Sequence, residues 1–123
     1  MRYGVKVVEV TPEGVKTGDG SFIEGNITVW ATGPEPQGLT MDCEGLEISK
    51  GYFRVNDFMQ STSAPNVFAG GDCITMKTYE EWPKVFPGKA GVYAVRAGPI
   101  IAHNISALAR GKPEEFNEYI PQK

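Results

Sequence analysis

The hydrophobic pattern opens with a loosely alternating, β-branched run, Val5-Lys6-Val7-Val8-Glu9-Val10, which predicts a strand. Thr11-Pro12-Glu13-Gly14 places Pro and Gly where a tight turn wants them. Val15-Lys16-Thr17 then predicts a second strand. Gly18-Asp19-Gly20-Ser21 predicts another turn before Phe22-Ile23. The three runs read as a small antiparallel meander. Ile27-Thr28-Val29-Trp30-Ala31 has little polar interruption, which predicts a strand buried on both faces. It ends in Ala31-Thr32-Gly33-Pro34, small residues that let the backbone approach a ligand or another segment.

Residues 35–49 are polar and rich in turn formers, with room for a short helix around Met41 to Leu46. Tyr52-Phe53-Arg54-Val55 predicts a short strand, and Asn56 to Ala64 a loop. Asn66-Val67-Phe68-Ala69-Gly70-Gly71-Asp72-Cys73 predicts a strand over Val67 to Ala69 that runs into a glycine pair and an aspartate. Pro65 keeps a helix from entering it. Residues 75–87 read as irregular, since Trp82-Pro83 and Phe86-Pro87 break any helix. The last element is a helix from about Lys89 to about Ala109. Val92, Val95, Ile101, Ile105 and Leu108 are expected on its core face. Pro99 predicts a kink or break near Gly98. Arg110-Gly111-Lys112-Pro113 is a stop signal, and the polar tail beyond it is expected along the surface.

Composition narrows the function classes. The 123 residues suit one ordinary domain, and a net charge of −3 leaves no basic patch for nucleic acid. Hydrophobic residues are 41% and charged residues 22%, a globular balance. No apolar run approaches the ~20 residues of a membrane span, and no signal peptide is visible, so a cytoplasmic location is expected. Cys43 and Cys73 form neither a redox pair nor a metal cluster, and His103 adds too little for zinc. No metal site is expected.

The chemistry centres on Asp72. A carboxylate just past the carboxyl end of a strand sits where open α/β sheets bind ligands, and it can accept two hydroxyl hydrogen bonds from a polyol. The same residues also describe a tight turn with Asp72 capping the next segment, and alone they favour that plainer reading. Cys73 and His103 read as packing residues. Arg96 reads as a half-solvated helix residue, and Lys89 as the charge nearest the candidate site.

The order of three features carries more weight. A strand ends Val29-Trp30-Ala31-Thr32-Gly33, a second ends Val67-Phe68-Ala69-Gly70-Gly71-Asp72, and a helix opens Lys89-Ala90-Gly91-Val92-Tyr93-Ala94-Val95-Arg96. This order resembles the carboxyl-terminal part of the pyridine nucleotide-disulfide oxidoreductase superfamily. Residues 89–104 are most similar to type II NADH dehydrogenase-like flavoproteins, in particular those associated with selenide, water dikinase. The resemblance implies an α/β fold: an antiparallel β-meander, plus the second half of an FAD domain ending in one long helix. It implies the end of an NAD(P)-binding domain over residues 1–33 and the C-terminal segment of the FAD-binding domain over 34–123.

The resemblance also implies a cofactor, FAD, with NAD(P)H as co-substrate and an acceptor such as a quinone. Asp72 would bind the ribityl chain. Gly71 and the helix start at Lys89, Ala90, Gly91 and Val92 would face the flavin's pyrimidine edge, where a helix N-terminus stabilises negative charge. Thr32 and Gly33 would pass close to the cofactor. No residue is assigned to catalysis. The sequence departs from the family in two respects. It has no Gly-x-Gly-x-x-Gly turn, and it lacks the redox cysteine pair of the disulfide reductases. It therefore reads as a fragment whose partner is the missing N-terminal half, or a second copy of itself. An inactive module that self-associates or binds a partner is the alternative.

Overall fold

The computed structural model describes residues 3–36, 38–82 and 86–122. The chain forms two compact units, residues 1–32 and 33–123.

The first unit is the expected meander. Strands β1 (Val7–Thr11), β2 (Gly14–Thr17) and β3 (Phe22–Glu24) pair antiparallel in the order β1-β2-β3. Gly14 must be glycine: it has φ +150, and a Cβ there would lie 2.1 Å from the Ile23 carbonyl oxygen. In the turn after β2, the Asp19 carboxylate accepts from the Thr17 hydroxyl at 2.5 Å and from the Ser21 amide at 3.0 Å. The predicted strand over Ile27 to Ala31 is not formed. Those residues have no regular structure, and Ile27 and Val29 are 86% and 84% exposed. An apolar β-branched run becomes a buried strand only where other elements cover it. No described element of this unit does so.

The second unit holds a mixed sheet, with β4 (Ile48–Ser49) antiparallel to β5 (Tyr52–Val55) and β6 (Ile74–Met76) parallel to β5. β5 occupies its expected residues. β6 lies within the stretch expected to be irregular, and all three of its residues are buried. Its outer edge is partly covered, because the Met76 amide donates to the Phe86 carbonyl at 3.2 Å. A short helix, α1 (Gly38–Met41), precedes the segment where one was expected. The predicted strand over Val67 to Ala69 is extended chain joined by single contacts. Phe68 bridges Gln60, and the Ala69 amide donates to Met59 at 3.0 Å. The glycine pair after it forbids a longer ladder. Pro83 lies outside the described residues.

Helix α2 (Gly91–Ala109) runs unbroken through Pro99. Its start is two residues later than expected, and its inward face is not the predicted one. Ala97, Asn104 and Ala107 are buried, with Ile100 and Ile101 packed beside them, whereas Val92, Val95 and Ile105 are exposed. Small residues let the helix approach the sheet closely; of the predicted core-face residues Ile101 packs inward, while Val92, Val95 and Ile105 turn outward. The core is Val55, Met59, Ile74, Met76, Ala97 and Tyr119.

The tail also departs from its expected surface course. Tyr119 is part of that core. Its amide donates to Asp57 at 2.8 Å, and its hydroxyl donates to the Tyr93 carbonyl at 3.1 Å. Phe116 meets Phe58 and Phe68 at centroid distances of 5.8 and 5.9 Å.

Candidate functional site

The site is built on the turn between the bridged segment and β6. Gly70 is wedged against the core: a Cβ on it would lie 2.6 Å from Ile101 Cδ1 and 3.4 Å from Met59 Cε. Gly71 has φ +79, a conformation that favours glycine, and a Cβ there would sit 3.4 Å from the Ala94 Cβ. These two approaches press the turn against the first turns of α2. A 3-10 turn over Gly71–Cys73 then leads into β6. Asp72 therefore precedes a strand, where the sequence placed it just after one.

Asp72 is exposed and forms no hydrogen bond or ion pair among the described residues. It lines an open pocket of about 320 Å³ with Cys73, Pro34 and Glu35. The Cys73 thiol donates to the Gly70 carbonyl at 3.3 Å, which closes the turn on itself.

Helix α2 starts beside this turn. No side chain caps it at Ala90, and its first turn carries no acidic residue. The amides of Gly91 and Val92 therefore lack helical acceptors. A Cβ at Gly91 would meet nothing within 4 Å, so the fold itself does not demand glycine there. Ala90, Gly91 and Val92 are all exposed.

Lys89 faces inward. Its ammonium donates to the Ile74 carbonyl oxygen and lies 4.2 Å from the centroid of the Tyr52 ring. Burial pushes this ammonium below its ordinary 10.5, and the charges of Asp72 and Cys73 pull it back up.

Among the residues singled out from sequence, the structure brings Gly71, Asp72 and the start of α2 together. Thr32 ends the first unit and Gly33 opens the second, and both are exposed in irregular chain. Sequence reasoning missed Pro34, Glu35 and Tyr52. Tyr52 carried no signal beyond a strand position, and Glu35 lay in a stretch without periodicity. His103 and Arg96 sit apart from the pocket lining, on the tail-facing side of α2. His103 Nε2 lies 2.8 Å from the Glu115 carbonyl oxygen, and Arg96 donates to Gln122 at 2.7 Å.

Asp72 thus lines an open pocket, and its glycine turn packs against the first turns of α2, whose start is uncapped. A ferredoxin reductase from Rhodopseudomonas palustris superposes with a TM-score of 0.63 at 20% identity, over 98% of this chain and 29% of that one. The model for "Pyridine nucleotide-disulphide oxidoreductase" matches residues 1–88. The chain belongs to that family. It is 32% identical over 120 residues to a type II NADH:quinone oxidoreductase from Haemophilus influenzae, covering 97% of this chain. It is also 32% identical over 90 residues to an NADH oxidase from Methanocaldococcus jannaschii, covering 73% of this chain. The chain spans only 26% and 20% of the lengths of these two relatives. The resemblance to NADH dehydrogenase-like flavoprotein oxidoreductases is thereby supported at the level of the family. No described helix is long and apolar enough to cross a membrane.

Proposed function

We propose that this chain is the flavin-side portion of an oxidoreductase in which hydride passes from NAD(P)H to FAD and electrons then pass to an acceptor such as a quinone. The observation that carries the reading is Asp72, a carboxylate without a protein partner, facing an open pocket beside the uncapped start of α2. The donor set fits the cofactor. Asp72 would accept hydrogen bonds from ribityl hydroxyls, and the amides of Gly91 and Val92 would donate to the carbonyl edge of the ring. Gly71, and Gly91 with no atom near its missing Cβ, would let the ring lie close to the backbone. FAD, when bound, supplies the hydride acceptor, and the chain's residues bind it and orient it.

Residues 1–33 would then close an NAD(P)-binding domain, and 34–123 would complete an FAD-binding domain whose other half lies on a further segment. Thr32 and Gly33 would pass beside the cofactor at that crossover. Without the further segment the chain is expected to be inactive. The named relatives support the NADH-linked reading and the quinone acceptor, and the selenide, water dikinase link rests on the sequence resemblance alone.

A second reading is favoured by one observation. Val92, Val95 and Ile105 leave an apolar stripe on α2 open, as a module that pairs with a copy of itself would.

Titrating FAD into the purified chain, with flavin fluorescence as readout, tests the first reading. Binding to the wild-type chain that weakens about tenfold in Asp72→Ala, the loss of charge-assisted hydrogen bonds, is the expected result. Equal binding to both chains overturns it. NADH oxidation assays then test the assembled activity.

A further inference from the structure

Among the described residues Lys89 is the cation nearest the Asp72 turn, and its ammonium does not reach outward for a ligand. It is spent on the Ile74 carbonyl and the face of the buried Tyr52 ring. Tyr52 begins β5 and Ile74 begins β6, while Lys89 lies two residues before α2. One side chain therefore ties three elements, and Ile74 is only two residues beyond Asp72. Neither direct partner is a carboxylate, so the charge is held by a dipole and a ring quadrupole, with the nearby charges of Asp72 and Cys73 favouring it.

We propose that Lys89 is a positioning residue for the Asp72 turn: it pins the start of α2 to β5 and β6, and its charge backs the pocket wall formed by Asp72 and Cys73. A ligand that offers hydroxyls to Asp72 and negative charge to the helix start meets a potential tuned for it. The identity of that ligand as FAD rests on the function proposed above, but the role of Lys89 does not.

Cys73 supplies a built-in reporter, because its thiolate is the nucleophile toward iodoacetamide. The charged groups facing it are Asp72, Glu35 and Lys89. Peptide-resolved mass spectrometry separates its alkylation from that of Cys43. Lys89→Met is expected to loosen the turn and speed Cys73 alkylation several-fold, and Lys89→Arg to restore the wild-type rate, because only the first removes the tie to the Ile74 carbonyl and the Tyr52 ring. Equal rates in all three chains overturn the proposal. The wild-type chain alone provides a second measurement that needs no variant to fold. In a pH titration of lysine Cε signals by NMR, one lysine should lose its proton below the rest, and one common curve overturns the proposal. An FAD titration of the same chains keeps the two ideas apart. Equal FAD affinity in the wild type and Asp72→Ala refutes the flavin reading, while the thiol and NMR results still decide the role of Lys89.

Discussion

Asn104 and Asn117 exchange two hydrogen bonds. Asn104 Nδ2 donates to the Asn117 carbonyl at 2.9 Å, and the Asn117 amide donates to Asn104 Oδ1 at 2.8 Å. The same Nδ2 also donates to the Phe58 carbonyl at 2.9 Å. Asn104 is fully buried, so a polar side chain inside the fold is satisfied at both ends while joining α2, the turn before Met59 and the tail.

Asn104→Ala removes all three bonds and leaves buried backbone groups unpaired. It is expected to lower stability by about 2–3 kcal/mol and to free the tail. Urea unfolding measures the first effect. Faster tryptic cleavage after Arg110 measures the second.

The two site glycines are expected to fail differently. Gly70→Ala overpacks the core against Ile101, at a cost of about 1–3 kcal/mol. Gly71→Ala forces a side chain into a left-handed backbone, at about 1–2 kcal/mol. Gly91→Ala meets open space at a helix start, so thermal unfolding should leave its stability equal to or above that of the wild type. Its FAD affinity should fall, because the added methyl lies on the proposed binding surface. Unchanged FAD affinity in Gly91→Ala would count against the close approach.

The Asp19 turn sets a pH limit on the first unit. The Thr17 hydroxyl, then the Ser21 amide, lower the carboxyl from its ordinary 3.8 to about 2. A depressed folded-state value means that this contribution is fully present above pH 3.8 and is lost as pH falls through about 2. Amide exchange at Ser21 should accelerate over that window, and Asp19→Asn should abolish the pH dependence.

Val95 is 76% exposed on α2, so Val95→Glu should change stability by no more than about 0.5 kcal/mol. Sedimentation should show less self-association in this variant if the apolar stripe joins two copies. A large loss of stability would mean that the helix packs through the other face.

What could be read in advance was local. The meander followed from Pro12, Gly14 and the Gly18 to Ser21 turn, because those residues dictate backbone geometry without help from the rest of the chain. The end of α2 followed from Arg110 and Gly111 for the same reason. Several of the failures were matters of coverage. Ile27 to Ala31 has strand chemistry but no cover among the described elements of its unit. Ala97, Asn104 and Ala107 face the core because they are small or can be hydrogen-bonded there, which hydrophobic periodicity cannot register. The burial of Ile74 to Met76 depends on pairing with β5, some 20 positions earlier. Asp72 and the helix start were singled out by their motif, and the fold sets the Asp72 turn against the first turns of α2. The inward turn of Lys89 was not, since its partners are a backbone oxygen and a distant ring.

The parallel pairing of β5 and β6 has a kinetic meaning. The two strands can meet only after the whole excursion from Asn56 to Cys73 has been laid down, and Gly70 to Asp72 are nearly its last residues. Closing that long loop and shaping the turn are therefore one event, late and non-local. An ensemble in which β6 has come undone contains no version of the site at all. Hydrogen exchange at Ile74 and ligand competence at Asp72 should then rise and fall together, as two readings of a single cooperative opening.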